Sequence, residues 1–224
     1  MYIFLILSLI ITVAAQIHVH ASYNKYSRIR NERGMTGAEA ARQLLLDHGI
    51  TNVPIEPIPG KLTDYYDPRR NVICLSEDVY DKDSVAAVGI AMHEAGHALQ
   101  YAQDYMPAKL RHAIVKSTNI SSTISYVLIL AGIFFGRGQV SYTLITLGIL
   151  FFCVVVFFQI ITLPVEFNAS GRAIRSLRDT MVLNTEEQQG VRKVLTAAAL
   201  TYVAAVAVSL LQVLRLLAIR GRRR

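Results

Sequence analysis

The sequence contains no tryptophan and only two cysteines among its 224 residues. Without Trp, an aromatic belt at a membrane surface falls to the 11 tyrosines. Cys74 and Cys153 stand alone, and Cys153 sits inside a long apolar run. A disulfide scaffold and a cysteine-based zinc site are therefore both excluded. Charge is also scarce, at 17% of residues against 53% hydrophobic, where soluble domains carry about 25% charged residues. That balance rules out a disordered chain and disfavours an ordinary soluble globule. Of the two signs, acid is the scarcer: 16 Asp+Glu against 23 Lys+Arg leave a net charge of +7. A basic excess suits either nucleic acid or anionic lipid.

What the chain does have is apolar length. Spanning a bilayer core takes about 20 apolar residues in a helix. The first run, Tyr2 to Val19, carries no charge, and residues 1–19 read as a transmembrane anchor. A signal peptide is the rival reading, since Val13-Ala14-Ala15 would serve as a cleavage site, but the basic leading region is missing. Runs from Ile120 to Phe135 and from Val140 to Leu163 are separated by Gly136-Arg137-Gly138-Gln139. Residues 120–163 thus read as a transmembrane hairpin with a Gly-rich turn. A fourth hydrophobic segment, 197–219, is followed by a basic tail, 220–224. Between these lie two polar stretches, 20–119 and 164–196. The first holds 12 Lys+Arg and 12 Asp+Glu, a balance that disfavours a nucleic-acid binder.

The basic residues flanking the runs set an orientation. Lys25, Arg28, Arg30 and Arg33 follow the first run, Lys109, Arg111 and Lys116 precede the second, and Arg172, Arg175 and Arg178 follow the third. The hairpin turn offers only Arg137. Both polar stretches are therefore expected in the cytoplasm of a multi-pass protein of a bacterial plasma membrane. The tail, Arg220 and Arg222 to Arg224, conflicts with this if the fourth run crosses fully.

Within 20–119, Thr36-Gly37-Ala38-Glu39 is a capping box, and it predicts a helix over 37–48 that ends at Gly49. Pro54, Pro57 and Pro59 forbid helix in the next stretch. Lys61 to Tyr66 and Asn71 to Leu75 flank Asp67-Pro68-Arg69-Arg70, which predicts a short β-hairpin. Asp83 or Ser84 then caps a helix, SVAAVGIAMHEAGHALQYAQ.

That helix contains His93-Glu94-Ala95-Gly96-His97, an HExxH motif. Residues four apart share a helix face, so His93 and His97 can bind one zinc while Glu94 reaches the attacking water. A peptidase site needs a third protein ligand and an open fourth position. Gln103 occupies one place where His would serve; His112 and Asp104 are candidates. Glu166 in LPVEFNASGRA is a stronger one. It ends an apolar run, lies on the same expected membrane side, and needs a partner there. The stretch after Pro164 is helix-compatible, with proline at the helix start. One turn beyond Glu166, Ser170 could accept a ring N–H from either histidine. Asn168 points roughly 200° away from Glu166 on such a helix and is a candidate for contact with substrate backbone. Tyr101, Tyr105, His112 and Arg172 are candidate donors to the oxyanion.

TGAEAAR, the DYYDP turn with LSEDVY, SVAAVGIAMHEAGHALQ, the stretch from Pro107 to Arg111, and LPVEFNASGRA together resemble the YugP-like family of membrane neutral zinc metallopeptidases. The resemblance covers nearly the whole chain. It implies His93, His97 and Glu166 as ligands to one zinc and Glu94 as catalytic base. The chain is similar, more distantly, to membrane endopeptidases of heat-shock and prenyl-protein processing. Those carry Asp four residues after the ligating Glu; here the residue is Ser170.

The expectation is a mainly α membrane protein. It has about four transmembrane helices and a small α+β segment made of the HExxH helix and a short hairpin. Its expected function is zinc-dependent hydrolysis of peptide bonds in a protein or peptide substrate, by zinc-activated water with Glu94 as general base. One rival is a site-2-type intramembrane protease. Against it, only about eight apolar residues precede HEAGH, too few to span. The other is a non-catalytic zinc-binding scaffold, which would not require Glu94.

Overall fold

The computed structural model describes residues 2–222. Arg223 and Arg224 of the basic tail therefore lie outside the described residues. The order is α1 (Tyr2–Tyr26), α2 (Gly37–Asp47), β1 (Ile55–Ile58), β2 (Tyr65–Asp67), β3 (Val72–Ser76), α3 (Glu77–Tyr80), α4 (Val85–Ala102), α5 (Met106–Phe134), α6 (Gln139–Thr180) and α7 (Thr185–Gly221). Four of these helices, α1, α5, α6 and α7, are long and apolar enough to cross a membrane. The chain is a mainly α-helical membrane protein with a small α+β segment, as its composition leads one to expect.

The chain divides into two compact units. Among the described residues, one comprises 2–16, 110–163 and 201–222, which hold most of the apolar length of the four long helices. Here α5 and α6 form an antiparallel hairpin, turning through Gly136 and Gly138, both at positive φ. Small hydroxyls link the two helices. Ser125 Oγ donates to the Gly148 carbonyl at 2.8 Å, and Ser141 Oγ to that of Gly132 at 2.6 Å. Such bonds and small residues are how helices associate where no water drives them together. Ile145, Ile149, Leu216 and Ile219 form the buried centre.

The other unit comprises Ile17–Lys109 and Pro164–Leu200. The capping box at the start of α2 is complete: Thr36 Oγ1 accepts from the Glu39 amide and Glu39 Oε2 from the Thr36 amide. The sheet order is β1-β3-β2, with β1 parallel and β2 antiparallel to β3. Every residue of β3 is buried. The core gathers α2, β3, α3, α4, the later turns of α6 and the early turns of α7 around Leu44, Ile73, Leu75, Val79, Leu99 and Leu177.

Three local expectations are corrected. The hairpin's first strand starts at Tyr65 rather than Lys61. Gly60 (φ 112°) and Leu62 (φ 55°) take left-handed backbone that no strand admits. Asp64 then turns its carboxylate to the Ser76 amide and hydroxyl. The proline-rich stretch, from which no strand was expected, supplies β1. Pro57 is tolerated because β1 is an edge strand. Finally, Pro164 does not begin a helix but lies inside α6. Its missing N–H removes one helical bond. The helix continues because Val165, Ala169, Ala173 and Leu177, four residues apart, are all buried against the core.

Candidate metal centre

Ser84 starts α4, its Oγ accepting from the Ala87 amide at 3.1 Å. From there the helix is built mostly of small residues, and Ala86, Ala87, Ala91, Ala95 and Ala98 are all buried. Narrow side chains let neighbouring helices approach. At Gly96 the approach to α6 is tight, since a Cβ there would sit 2.6 Å from the Ala169 carbonyl oxygen. His93, His97 and Gln100, at i, i+4 and i+7, share one face of α4. On α6, Glu166 and Ser170 lie one turn apart.

These two faces meet. Glu166 Oε2 is 3.3 Å from His93 Nε2 and 3.6 Å from His97 Nε2. The imidazoles stand edge to face, with centroids 4.7 Å apart and planes at 80°. One donor atom from each of the three residues lies within 4.8 Å of the others. Glu166 and His97 are buried, and His93 is half-buried.

The nitrogens pointing away from this centre are held. His97 Nδ1 is 3.0 Å from Gln100 Oε1. Gln100 is completely buried, and its Nε2 donates to the Val165 carbonyl at 2.8 Å and to Asn168 Oδ1 at 3.0 Å. A carbonyl can only accept, so the amide nitrogen must face Val165 and the amide oxygen must face His97. His97 therefore donates from Nδ1, and the neutral ring carries its lone pair on Nε2, the nitrogen beside Glu166. His93 Nδ1 lies 3.0 Å from Ser170 Oγ, in position for the same arrangement. Burial works against a charged His97. When the ring is protonated its Nε2–H donates to Glu166, and this bond together with the charges of Glu94 and Glu166 outweighs burial and raises its pKa. The pocket therefore favours positive charge at this point.

Two imidazole lone pairs and a carboxylate converging on one point suit a divalent cation. Zinc bonds of about 2.0–2.2 Å in a tetrahedron put neighbouring ligand atoms about 3.3–3.6 Å apart, which matches the two separations measured to Glu166. The residues fit zinc.

Glu94, between the histidines in sequence, is 8% exposed. Its carboxylate makes no hydrogen bond or ion pair with the described residues. Asn168 makes no hydrogen bond to either histidine among the described residues. Its Oδ1 accepts from Gln100 and, at 2.7 Å, from Arg172 Nε. Arg172 also bonds Gln103 and lies 6.0 Å from the centroid of the Tyr105 ring. The Tyr101 hydroxyl donates to the Ala108 carbonyl at 3.3 Å, and its ring lies 5.5 Å from that of Tyr66 on β2. Asp104 pairs instead with Lys109 on the surface. His112 belongs to the other unit. Sequence reasoning missed Gln100. Its signal was there: one polar residue in an apolar turn, on the same helix face as both histidines.

A family model described as "Putative neutral zinc metallopeptidase" matches residues 1–221. The chain is 47% identical over 216 residues, 96% of its own length and 94% of the other's, to a Bacillus subtilis (strain 168) protein named "Putative membrane protease YugP". No solved structure matches it. A family match over nearly the entire length, together with a histidine–histidine–glutamate cluster that fits zinc, leads to one conclusion: this chain belongs to the neutral zinc metallopeptidase family.

Proposed function

We propose that the protein is a membrane-bound zinc metallopeptidase in which His93, His97 and Glu166 hold one zinc and Glu94 is the general base. The observation that carries this reading is the convergence of α4 and α6 on that three-residue cluster, with an uncommitted carboxylate on the motif helix. When bound, zinc supplies a Lewis acid that polarises a carbonyl and lowers the pKa of water. Gln100 fixes the tautomer of His97, and Ser170 accepts from His93 Nδ1 in the same arrangement, so that each Nε2 lone pair is left for the metal. Glu94 accepts a proton from the attacking water and returns it to the leaving amine. Partial burial keeps bulk water from competing for that carboxylate. β2, Tyr65–Asp67, is an outer strand of the sheet, the position at which an extended peptide adds as a further strand. Its Tyr66 ring packs on Tyr101 of α4, tying that edge to the motif helix. The helix carrying HEAGH is not among the four apolar enough to cross a membrane, which favours this reading over an intramembrane protease.

Purified full-length protein should carry one zinc per chain and cleave an unfolded protein, and a chelator should abolish cleavage. Zinc-loaded protein without peptidase activity would instead support the scaffold reading.

Ser170→Ala should keep the fold and weaken zinc affinity by at most about 10–100-fold, as expected for losing a group that orients a ligand. Unchanged affinity in Ser170→Ala, with loss only in the bulky Ser170→Leu, would show that the position serves close packing.

The active side is proposed to be cytoplasmic. In a cysteine-free background, a membrane-impermeant thiol reagent applied to intact cells should label Arg137→Cys and leave Arg70→Cys untouched. The opposite pattern would invert the orientation. Labelling of Arg222→Cys would show that α7 crosses fully.

A further inference from the structure

A cavity of about 500 Å³ lies between the end of α1 and the start of α7, and nothing in the peptidase reading uses it. Its two walls follow helical spacing. His18, Ser22 and Lys25 line it from one face of α1, and Gln189, Arg192 and Lys193 from one face of α7. No acidic residue lines it. Lys25, Arg192 and Lys193 are exposed, and none of them forms an ion pair among the described residues. Lys25 rests on the Tyr26 ring at 5.4 Å, which sets its stem against the cavity wall. An adjoining cavity shares Lys25 and Lys193 but also holds Glu32, Glu186 and Glu187. Glu187 is spent there on the Glu32 and Asn184 amides. The acid-free cavity is therefore the one with uncompensated positive charge.

Its place in the sequence is the second observation. The uncharged apolar run of α1 ends at Val19, within the stretch that lines the cavity. The apolar run of α7 begins at Ala197, one residue beyond the lining residue Thr196. Both helices pass from apolar to basic at this cavity, which is where the polar layer of a bilayer begins. Basic pockets between membrane helices at this level recognise anionic lipid headgroups.

We propose that this cavity binds the phosphate headgroup of an anionic phospholipid, with Arg192, Lys193 and Lys25 as the charged contacts and Gln189, Ser22 and His18 as hydrogen-bonding ones. The site is independent of the zinc cluster.

The test uses delipidated full-length protein in detergent, titrated with phosphatidylglycerol or phosphatidylcholine and read by native mass spectrometry. Wild type should retain phosphatidylglycerol in preference to phosphatidylcholine. The Arg192→Gln/Lys193→Gln pair should weaken that retention by about tenfold or more. A control pair of equal charge change, Arg175→Gln/Arg178→Gln, should not. The charge-preserving Arg192→Lys/Lys193→Arg should bind as wild type, with unchanged thermal melting as the check on folding. Equal retention of the two lipids, equal loss in the control pair, or displacement of the lipid by an equal concentration of inorganic phosphate would each overturn the proposal. The first means no headgroup selectivity, the second a diffuse charge effect, and the third a site for free phosphate.

Discussion

Glu94→Gln should leave zinc content at one per chain and lower the rate of peptide hydrolysis by about 10²–10⁴-fold, the usual range for removing a general base. The substitution keeps side-chain length and shape, and Glu94 makes no bond to a described residue that the amide would break. The proposed ligands stay in place. What is lost is a carboxylate that can accept a proton, because a carboxamide oxygen is far too weak a base. Metal analysis and initial rates on one preparation separate the two effects. Near-normal turnover by Glu94→Gln would remove Glu94 from the chemistry altogether, and loss of zinc together with activity would make it a structural residue.

The second large effect is expected at a residue with no side chain. Gly96→Ala places a methyl 2.6 Å from the Ala169 carbonyl oxygen and 3.2 Å from its carbon. Those atoms belong to helix backbone and cannot rotate aside. Helix propensity favours Ala over Gly by about 1 kcal/mol, while overpacking a close contact costs about 1–3 kcal/mol. Clash should win, and its consequence is chiefly geometric. Ala169 lies between Glu166 and Ser170 on α6, so a retreat of that helix draws both away from His93 and His97. Zinc retention should fall sharply and melting should occur at lower temperature. Gly171→Ala is the control of opposite sign. Nothing lies within 4 Å of its added methyl, so it should gain about 0.5–1 kcal/mol of stability and keep its zinc. If Gly96→Ala binds zinc like wild type, close approach of α4 and α6 is not what aligns the cluster.

Local signals were read correctly where the interaction they encode is local. The Thr36–Glu39 box and the Ser84 cap each involve residues three apart, and both helices start where those signals put them. The four apolar runs were equally plain, because length alone identifies them. The features missed are those fixed by distant partners. Strand β1 exists because β3, well downstream, offers it a parallel edge; three prolines hid that. Pro164 stays within α6 because a buried stripe beyond it outweighs one lost hydrogen bond. Gln100 bonds Val165 and Asn168 from a different helix, so its own neighbourhood gave only an isolated polar residue. Glu166 was easier to find. A carboxylate ending an apolar run stands out by its cost, and LPVEFNASGRA resembles a known motif. The sequence alone favours it over His112 and Asp104, and in the fold α6 carries it to the two histidines of α4.

The two faces that meet at the cluster are far apart along the chain, with the entire α5–α6 hairpin between them. During synthesis, the motif helix emerges with two of the three donors and stays incomplete through both hairpin helices. Glu166 follows only after the apolar part of α6 has been made. A nascent or truncated chain that stops within the hairpin therefore carries HEAGH without the proposed third ligand, so the proposed hydrolysis waits until the hairpin is complete. The order of the chain thus makes the proposed ligand set one of the last features of this half of the protein to be assembled.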